Sequence, residues 1–168
     1  MANMIPISTV TVGSGGAATI EFIGIPQTYT DLVIKTSLRS ATASVNPGLL
    51  IKLNGSATGF TGRNIYGTGS AAASYSDTSG EIGILAGNSA TASTFGNADI
   101  YIPNYTGSNN KSFSVDSLNE NNATSANQYL YANLWSNTAP ITSITLLSGG
   151  SVNLLQYSTA TLYGIRKY

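Results

Sequence analysis

Alternation with a period of two runs through the C-terminal segment, residues 156–166. Successive side chains of a β-strand point to opposite faces, so this alternation predicts a strand. One predicted face carries Ser158, Ala160, Leu162 and Gly164. Only two residues follow the segment, and we expect this strand to be a central member of a sheet, paired on both sides. Its deletion is then expected to unfold the domain.

The same alternation recurs in short segments separated by turn residues, and no segment shows a sustained helical period with caps. About nine to eleven short strands with regularly spaced turns are typical of a two-sheet structure. The sequence therefore predicts an all-β fold, a jelly-roll-like antiparallel β-sandwich in a single domain spanning residues 1–168. The other main predicted strands are 7–12, 18–23, 31–39, 49–53, 81–85, 94–103, 111–118, 128–135 and 141–147.

One stretch, residues 56–79, departs from this pattern because it is rich in Gly, Ala and Ser. Its few large side chains are Phe60, Ile65, Tyr66 and Tyr75. We predict a flexible surface excursion with one strand near residues 63–66, since loops of this length are usually functional or mobile. The Asn54-Gly55 dipeptide before it favours a tight turn.

Charge is scarce in this chain: 8% of its 168 residues are charged and the net charge is zero, although 42% are hydrophobic. The usual charged fraction is about 25%. A neutral, hydrogen-bonding surface loses little when a partner covers it, which favours a subunit of an assembly. A nucleic-acid partner is not expected, because no basic stripe is present. We expect no membrane association either, since no apolar run approaches the ~20 residues that span a bilayer.

The chemistry open to the chain is limited, because it contains neither His nor Cys. That excludes Ser-His-Asp and Cys-His catalysis and almost every zinc site. The seven carboxylates are best interpreted as solubilising groups, and we expect neither an enzyme nor a cofactor or metal. Calcium binding by Asp116, Asn119 and Glu120 is the one metal site considered, and a solvated turn is the preferred interpretation because the spacing differs from an EF-hand.

The best functional candidates lie on the predicted strand 128–135, where an aromatic row alternates with Leu130, Ala132 and Leu134. We predict that this row faces outward. Aromatic rings beside an amide suit a subunit interface or a sugar platform, and the row is equally compatible with packing inside the sheet. The candidate interface or glycan-binding residues are Tyr129, Tyr131, Asn133 and Trp135.

A family resemblance appears at the end of the chain. The run STATLYGI (158–165) resembles the closing strand of small all-β virion proteins of tailed bacteriophages. The runs YTDLVI (29–34), leading to LR (38–39), and LIKLNG (50–55) fit the same layout. The resemblance implies a jelly-roll-like sandwich on a phage particle and carries over no catalytic residue.

The role that this resemblance implies is that of a capsid decoration, or cement, protein. Such a protein is expected to be a homotrimer, to bind the major capsid protein and to lie on the capsid surface after synthesis in the host cytoplasm. The alternative is a glycan-binding module of a tail fibre or tail tip, for which the partner is a host polysaccharide.

Overall fold

The computed structural model describes residues 3–122 and 125–166, and their regular structure consists of twelve β-strands. The predicted all-β sandwich of two antiparallel sheets is confirmed. The predicted domain ends, residues 1 and 168, lie outside the described residues. The strands are β1 Asn3–Thr11, β2 Thr19–Ile23, β3 Asp31–Leu38, β4 Gly48–Leu53, β5 Phe60–Gly67, β6 Ala72–Asp77, β7 Glu81–Ile84, β8 Gly96–Pro103, β9 Lys111–Asn119, β10 Asn127–Trp135, β11 Ser143–Ser148 and β12 Thr159–Arg166.

The two sheets differ in size. The larger has eight strands in the order β1-β12-β3-β8-β9-β10-β5-β6, and the smaller has four in the order β2-β11-β4-β7. Strand β12 is hydrogen-bonded to β1 on one side and to β3 on the other, so the predicted central position of the C-terminal strand is confirmed.

Four strands, β9, β10, β5 and β6, form one side of the larger sheet, which we call the extension. Each pairs antiparallel with the strand before it in the sheet: β9 with β8, β10 with β9, β5 with β10 and β6 with β5. Strand β7 at the edge of the smaller sheet contacts β8, β9 and β10. The smaller sheet still covers the start of β5, where Phe60 is buried, and leaves most of β6 uncovered.

The core lies between the sheets and follows the predicted alternation. Leu32 and Ile34 of β3 are fully buried, and so are Ile20 of β2 and Ile144 of β11 on the opposite sheet. One hydrophobic cluster joins these residues across the described part of the chain. Since side chains i and i+2 of a strand share a face, strands such as β3, β8 and β10 contribute every second residue to this cluster.

Two of the segments that carry the family resemblance, YTDLVI (29–34) and STATLYGI (158–165), contact each other in the fold. The ring of Tyr29, at the start of YTDLVI, packs directly on the backbone of Gly164 in STATLYGI, and a Cβ at position 164 would overlap that ring. The Arg166 guanidinium lies 5.3 Å from the centre of the same ring. Glycine is therefore required at position 164 for steric reasons.

The stretch 56–79 differs from its prediction. It contains two strands, β5 and β6, where one was expected, and they form an antiparallel hairpin. The second strand was missed because Ala72, Ala73 and Ser74 give no apolar alternation, so its strand conformation comes from pairing with β5. The tight turn at Asn54-Gly55 is present, with φ of 51° and 75°, but β5 then crosses to the other sheet.

Candidate functional site

The predicted aromatic row on β10 faces inward. Tyr129, Tyr131 and Trp135 are 8%, 3% and 1% exposed, and Asn133 is 6% exposed. The predicted outward orientation is therefore wrong, because alternation separates two faces without saying which one is covered. The opposite face, with Leu130 at 50% exposure, is the one that reaches solvent.

These rings form a stack inside the extension. The Tyr129 ring lies 4.7 Å from that of Tyr66 and 5.4 Å from that of Tyr131, centre to centre, and both pairs are nearly parallel. Tyr75 of β6 meets Tyr129 edge to face at 6.4 Å. Offset and edge-to-face arrangements are the favoured geometries of aromatic pairs, so this packing stabilises the sheet beyond its buried area.

The Trp135 ring belongs to the same inner face. Its centre lies 6.3 Å from that of Phe60, and its indole Nε1 donates a hydrogen bond to the Thr58 carbonyl at 3.2 Å. With its polar atom satisfied and its ring covered, Trp135 holds β5 against β10. In the single chain, a sugar or protein partner reaches this ring only if the sandwich opens.

One carboxylate, that of Glu81 on β7, meets the tyrosines. Tyr131 donates a hydrogen bond to Glu81 Oε1 at 3.2 Å, and Tyr75 donates to the same oxygen. Burial raises the pKa of Tyr131, and the hydrogen bond with Tyr75 and the Glu81 charge raise it further. Partial burial and the bond to Glu81 also raise the pKa of Tyr75. Both hydroxyls therefore stay protonated at neutral pH and serve as hydrogen-bond donors.

The outer face of the larger sheet is broad and almost neutral. At the outward-facing positions of the described strands, the exposed charges are two cations and two anions, Lys35, Arg63, Asp99 and Asp116. Lys35 forms an ion pair with Asp99, the one salt bridge found among residues 3–122 and 125–166. Because so few ions need desolvation, a partner covers this face at low electrostatic cost.

An apolar patch lies on this face at the extension. Ile65 of β5 and Leu130 of β10 are directly opposite each other and are 60% and 50% exposed. Ala132 continues the patch along β10, and a shallow open groove of about 630 Å³ runs along β5, β6 and β10 beside it. We call Ile65, Leu130 and Ala132 the outer patch. Sequence reasoning named its members but assigned the β10 residues to the wrong face.

The residues considered for calcium do not converge. Asp116 is exposed on the outer face of β9, whereas the Asn119 side chain is buried and donates to the Val45 carbonyl at 3.1 Å. Glu120 Oε1 accepts a hydrogen bond from the Asn122 backbone N–H at 2.7 Å. Within the described residues, no group of three or more acidic side chains is placed to hold a metal ion.

Comparisons with protein-family models, with curated proteins and with solved structures give no match to this chain. Nor does any helix in residues 3–122 and 125–166 have the length and apolar character needed to cross a membrane.

Proposed function

We propose that this chain is a structural, non-enzymatic protein of a tailed-phage particle, a capsid decoration subunit that binds the major capsid protein. The observation that carries the proposal is the outer patch on a broad and nearly neutral sheet face. Large exposed apolar residues grouped on such a face are typical of protein interaction sites. Phage origin and the capsid as partner are supported by the resemblance of the STATLYGI strand.

Binding of this kind stabilises a particle without any chemical step. The decoration subunit contacts assembled capsid subunits through the outer patch and so favours the assembled state by mass action. The burial of Ile65 and Leu130 supplies a hydrophobic contribution, and the scarcity of charge keeps the desolvation cost low.

The strand order supports a finer description of the fold, which we propose to be a jelly roll with two inserted strand pairs, β5-β6 and β9-β10. Eight strands form two four-stranded sets, β1-β12-β3-β8 and β2-β11-β4-β7, and the chain crosses between the sets at each of β1 to β2, β3 to β4, β7 to β8 and β11 to β12. This arrangement matches a double-sheet jelly roll. The remaining four strands are the extension, which carries the outer patch.

The number of copies per particle tests the location. Quantitative mass spectrometry of purified particles should give the number of copies of this protein per copy of the major capsid protein. We expect a value near one, which corresponds to hundreds of copies per particle. A ratio of a few per cent would place the protein on the tail, and absence from the particle would contradict the proposal. We also propose a homotrimer, for which light scattering on the purified protein should give about three times the 17.3 kDa chain mass.

The alternative function, glycan binding on a tail fibre or tail tip, receives no support from the rings of Tyr131 and Trp135, because they are buried. It is favoured by a different part of the molecule, a cleft between the loops at one end of the sandwich.

A further inference from the structure

Four connections meet at one end of the sandwich and line an open cleft of about 590 Å³. They are the β1–β2, β3–β4, β7–β8 and β11–β12 connections, and they contribute Gly15, Arg39, Ser93 and Tyr157 among others. Loops held by a rigid scaffold are the usual location of binding residues. The volume lies within the range of ligand sites, about 300–1,000 Å³.

Backbone hydrogen bonds hold these connections together. Ala17 and Leu154 exchange two bonds, of 3.0 and 2.7 Å, which join the β1–β2 and β11–β12 connections. The Leu155 N–H donates to the Arg39 carbonyl at 2.8 Å and so attaches the β3–β4 connection. The cleft is therefore preformed, which lowers the entropic cost of binding a ligand.

Tyr157 presents its ring at the rim of this cleft. Its side chain is 69% exposed, although its backbone is held in the left-handed region at φ 71°. The Tyr157 N–H donates to the Val12 carbonyl at 3.0 Å, and the adjacent Ser158 hydroxyl donates to the Arg39 carbonyl at 3.1 Å. A bulky residue in this region is strained, and strain of this kind concentrates at functional sites. The backbone that carries this exposed ring is thus held in a strained conformation by nearby hydrogen bonds.

Arg39 brings an uncompensated positive charge to the cleft. It is 8% exposed, and its guanidinium donates to the carbonyls of Ala90, Thr91 and Thr94 at 3.1, 2.9 and 2.8 Å. Within the described part of the chain, no carboxylate forms a salt bridge with it. These bonds use both Nη1 hydrogens and one Nη2 hydrogen, which leaves the Nε hydrogen and one Nη2 hydrogen for an anionic oxygen.

We propose that this cleft binds a sugar that carries a carboxylate. The Tyr157 ring would stack on the sugar ring, and the Arg39 guanidinium would attract the carboxylate. The side-chain amides of Asn153 and Gln156, which also line the cleft, are suited to the hydroxyl groups. The proposal deepens the glycan-binding alternative and uses residues separate from the outer patch.

The test is saturation-transfer NMR on the full chain with sodium D-glucuronate, and with D-glucose as the neutral comparator. We expect transfer to glucuronate and not to glucose. Tyr157→Gly should weaken glucuronate binding about tenfold through the loss of stacking. The fold should survive this change, because glycine accepts a φ of 71° without strain.

The matched control is Asn104→Gly, which changes another left-handed residue, at φ 49°, in the β8–β9 connection. It should leave glucuronate binding and the melting temperature unchanged. Absence of transfer to glucuronate at millimolar concentration, or unchanged affinity in Tyr157→Gly, would overturn the proposal. Displacement of glucuronate by an equal concentration of acetate would also overturn it, because the site would then recognise an anion without the sugar.

A further variant separates this proposal from the capsid-binding one. Leu130→Asp changes the outer patch and should leave glucuronate binding unchanged, whatever it does to particle binding. Conversely, Tyr157→Gly should leave capsid binding through the outer patch unchanged. A function that persists when its own site is changed thus identifies which proposal is wrong.

Discussion

The two faces of strand β10 differ although both are apolar. The inner face carries Tyr129, Tyr131 and Trp135, each at most 8% exposed, and the outer face carries Leu130 at 50% exposure. Aromatic rings bury more area than a leucine and reach further toward the other sheet. The aromatic face therefore became the covered one, and the smaller apolar side chains were left to solvent.

This difference assigns the two faces to different tasks. The inner rings stack on each other and on Phe60 and Tyr66, so they stabilise the extension where the cover from the smaller sheet ends. The outer patch makes no such contribution and is free to contact a partner. Variants on the inner face should therefore change stability, and variants on the outer face should change binding.

The largest effect is expected for Trp135→Ala. The ring is 1% exposed, so its removal leaves a cavity between β5 and β10, and Trp→Ala changes of this kind cost about 3–5 kcal/mol. Urea denaturation followed by circular dichroism should show this loss. Leu130→Ala on the same strand is the matched control and should cost less than about 1 kcal/mol, because half of that side chain is already in solvent. Equal losses in the two variants would contradict the assignment of faces.

The sequence was sufficient for most of the strands and insufficient for the orientation of β10. Strand β3 could be oriented because the apolar residues Leu32 and Ile34 share one face and the charged Lys35 lies on the other. Strand β10 could not, because leucines oppose tyrosines and neither face is polar. Hydrophobic periodicity marks the inner face only where the other face is polar.

Two further features escaped prediction because they depend on pairing across the fold. Strand β6 has a sequence of small residues, and its conformation is imposed by β5. The cleft brings together Arg39 and Tyr157, which come from connections far apart in the chain and share no motif. No local pattern reports contacts of this kind.

Alkaline pH should weaken the fold through the inner tyrosines. Burial raises the pKa of Tyr131 above 10.0, the value for an unperturbed tyrosine. Above pH ~10 the unfolded chain therefore releases a proton that the folded chain retains, and the free energy of unfolding falls by up to about 1.4 kcal/mol per pH unit for each such group. Below that pH this contribution is fully present. Urea titrations between pH 9 and pH 11 should show the decline, and Tyr131→Phe should reduce its slope by one proton. An unchanged slope in the variant would show that Tyr131 ionises normally in the folded state.

At neutral pH, Tyr131→Phe should have a smaller effect. The variant retains the ring stacked on Tyr129 and loses the hydroxyl that donates to Glu81. Loss of a hydrogen bond to a charged group costs about 1.5–3 kcal/mol, and the low end applies here because Tyr75 still donates to the carboxylate. Urea denaturation at pH 7 provides the measurement. Glu81→Gln is a useful companion, since it keeps the size of the side chain and removes the charge. A loss above that for Trp135→Ala would mean that the hydroxyl network, and not the stacked rings, dominates the stability of the extension.

The smallest effect on stability is expected for Leu130→Asp, although its effect on binding should be large. Position 130 is 50% exposed, so a carboxylate there remains hydrated in the free chain. It would lie directly opposite Asp116 on β9, and this repulsion should lower the unfolding free energy by no more than about 1 kcal/mol. In a covered interface the same carboxylate would lose its hydration without gaining an opposite charge, which is strongly unfavourable. Co-sedimentation with particles that lack the protein should therefore fall sharply for Leu130→Asp.

Thr11→Asp, an exposed change on β1 at the far edge of the same sheet, should sediment like the unchanged chain. If the two variants lose binding equally, the contact extends over the whole outer face. If neither loses it, the outer patch is not the contact surface.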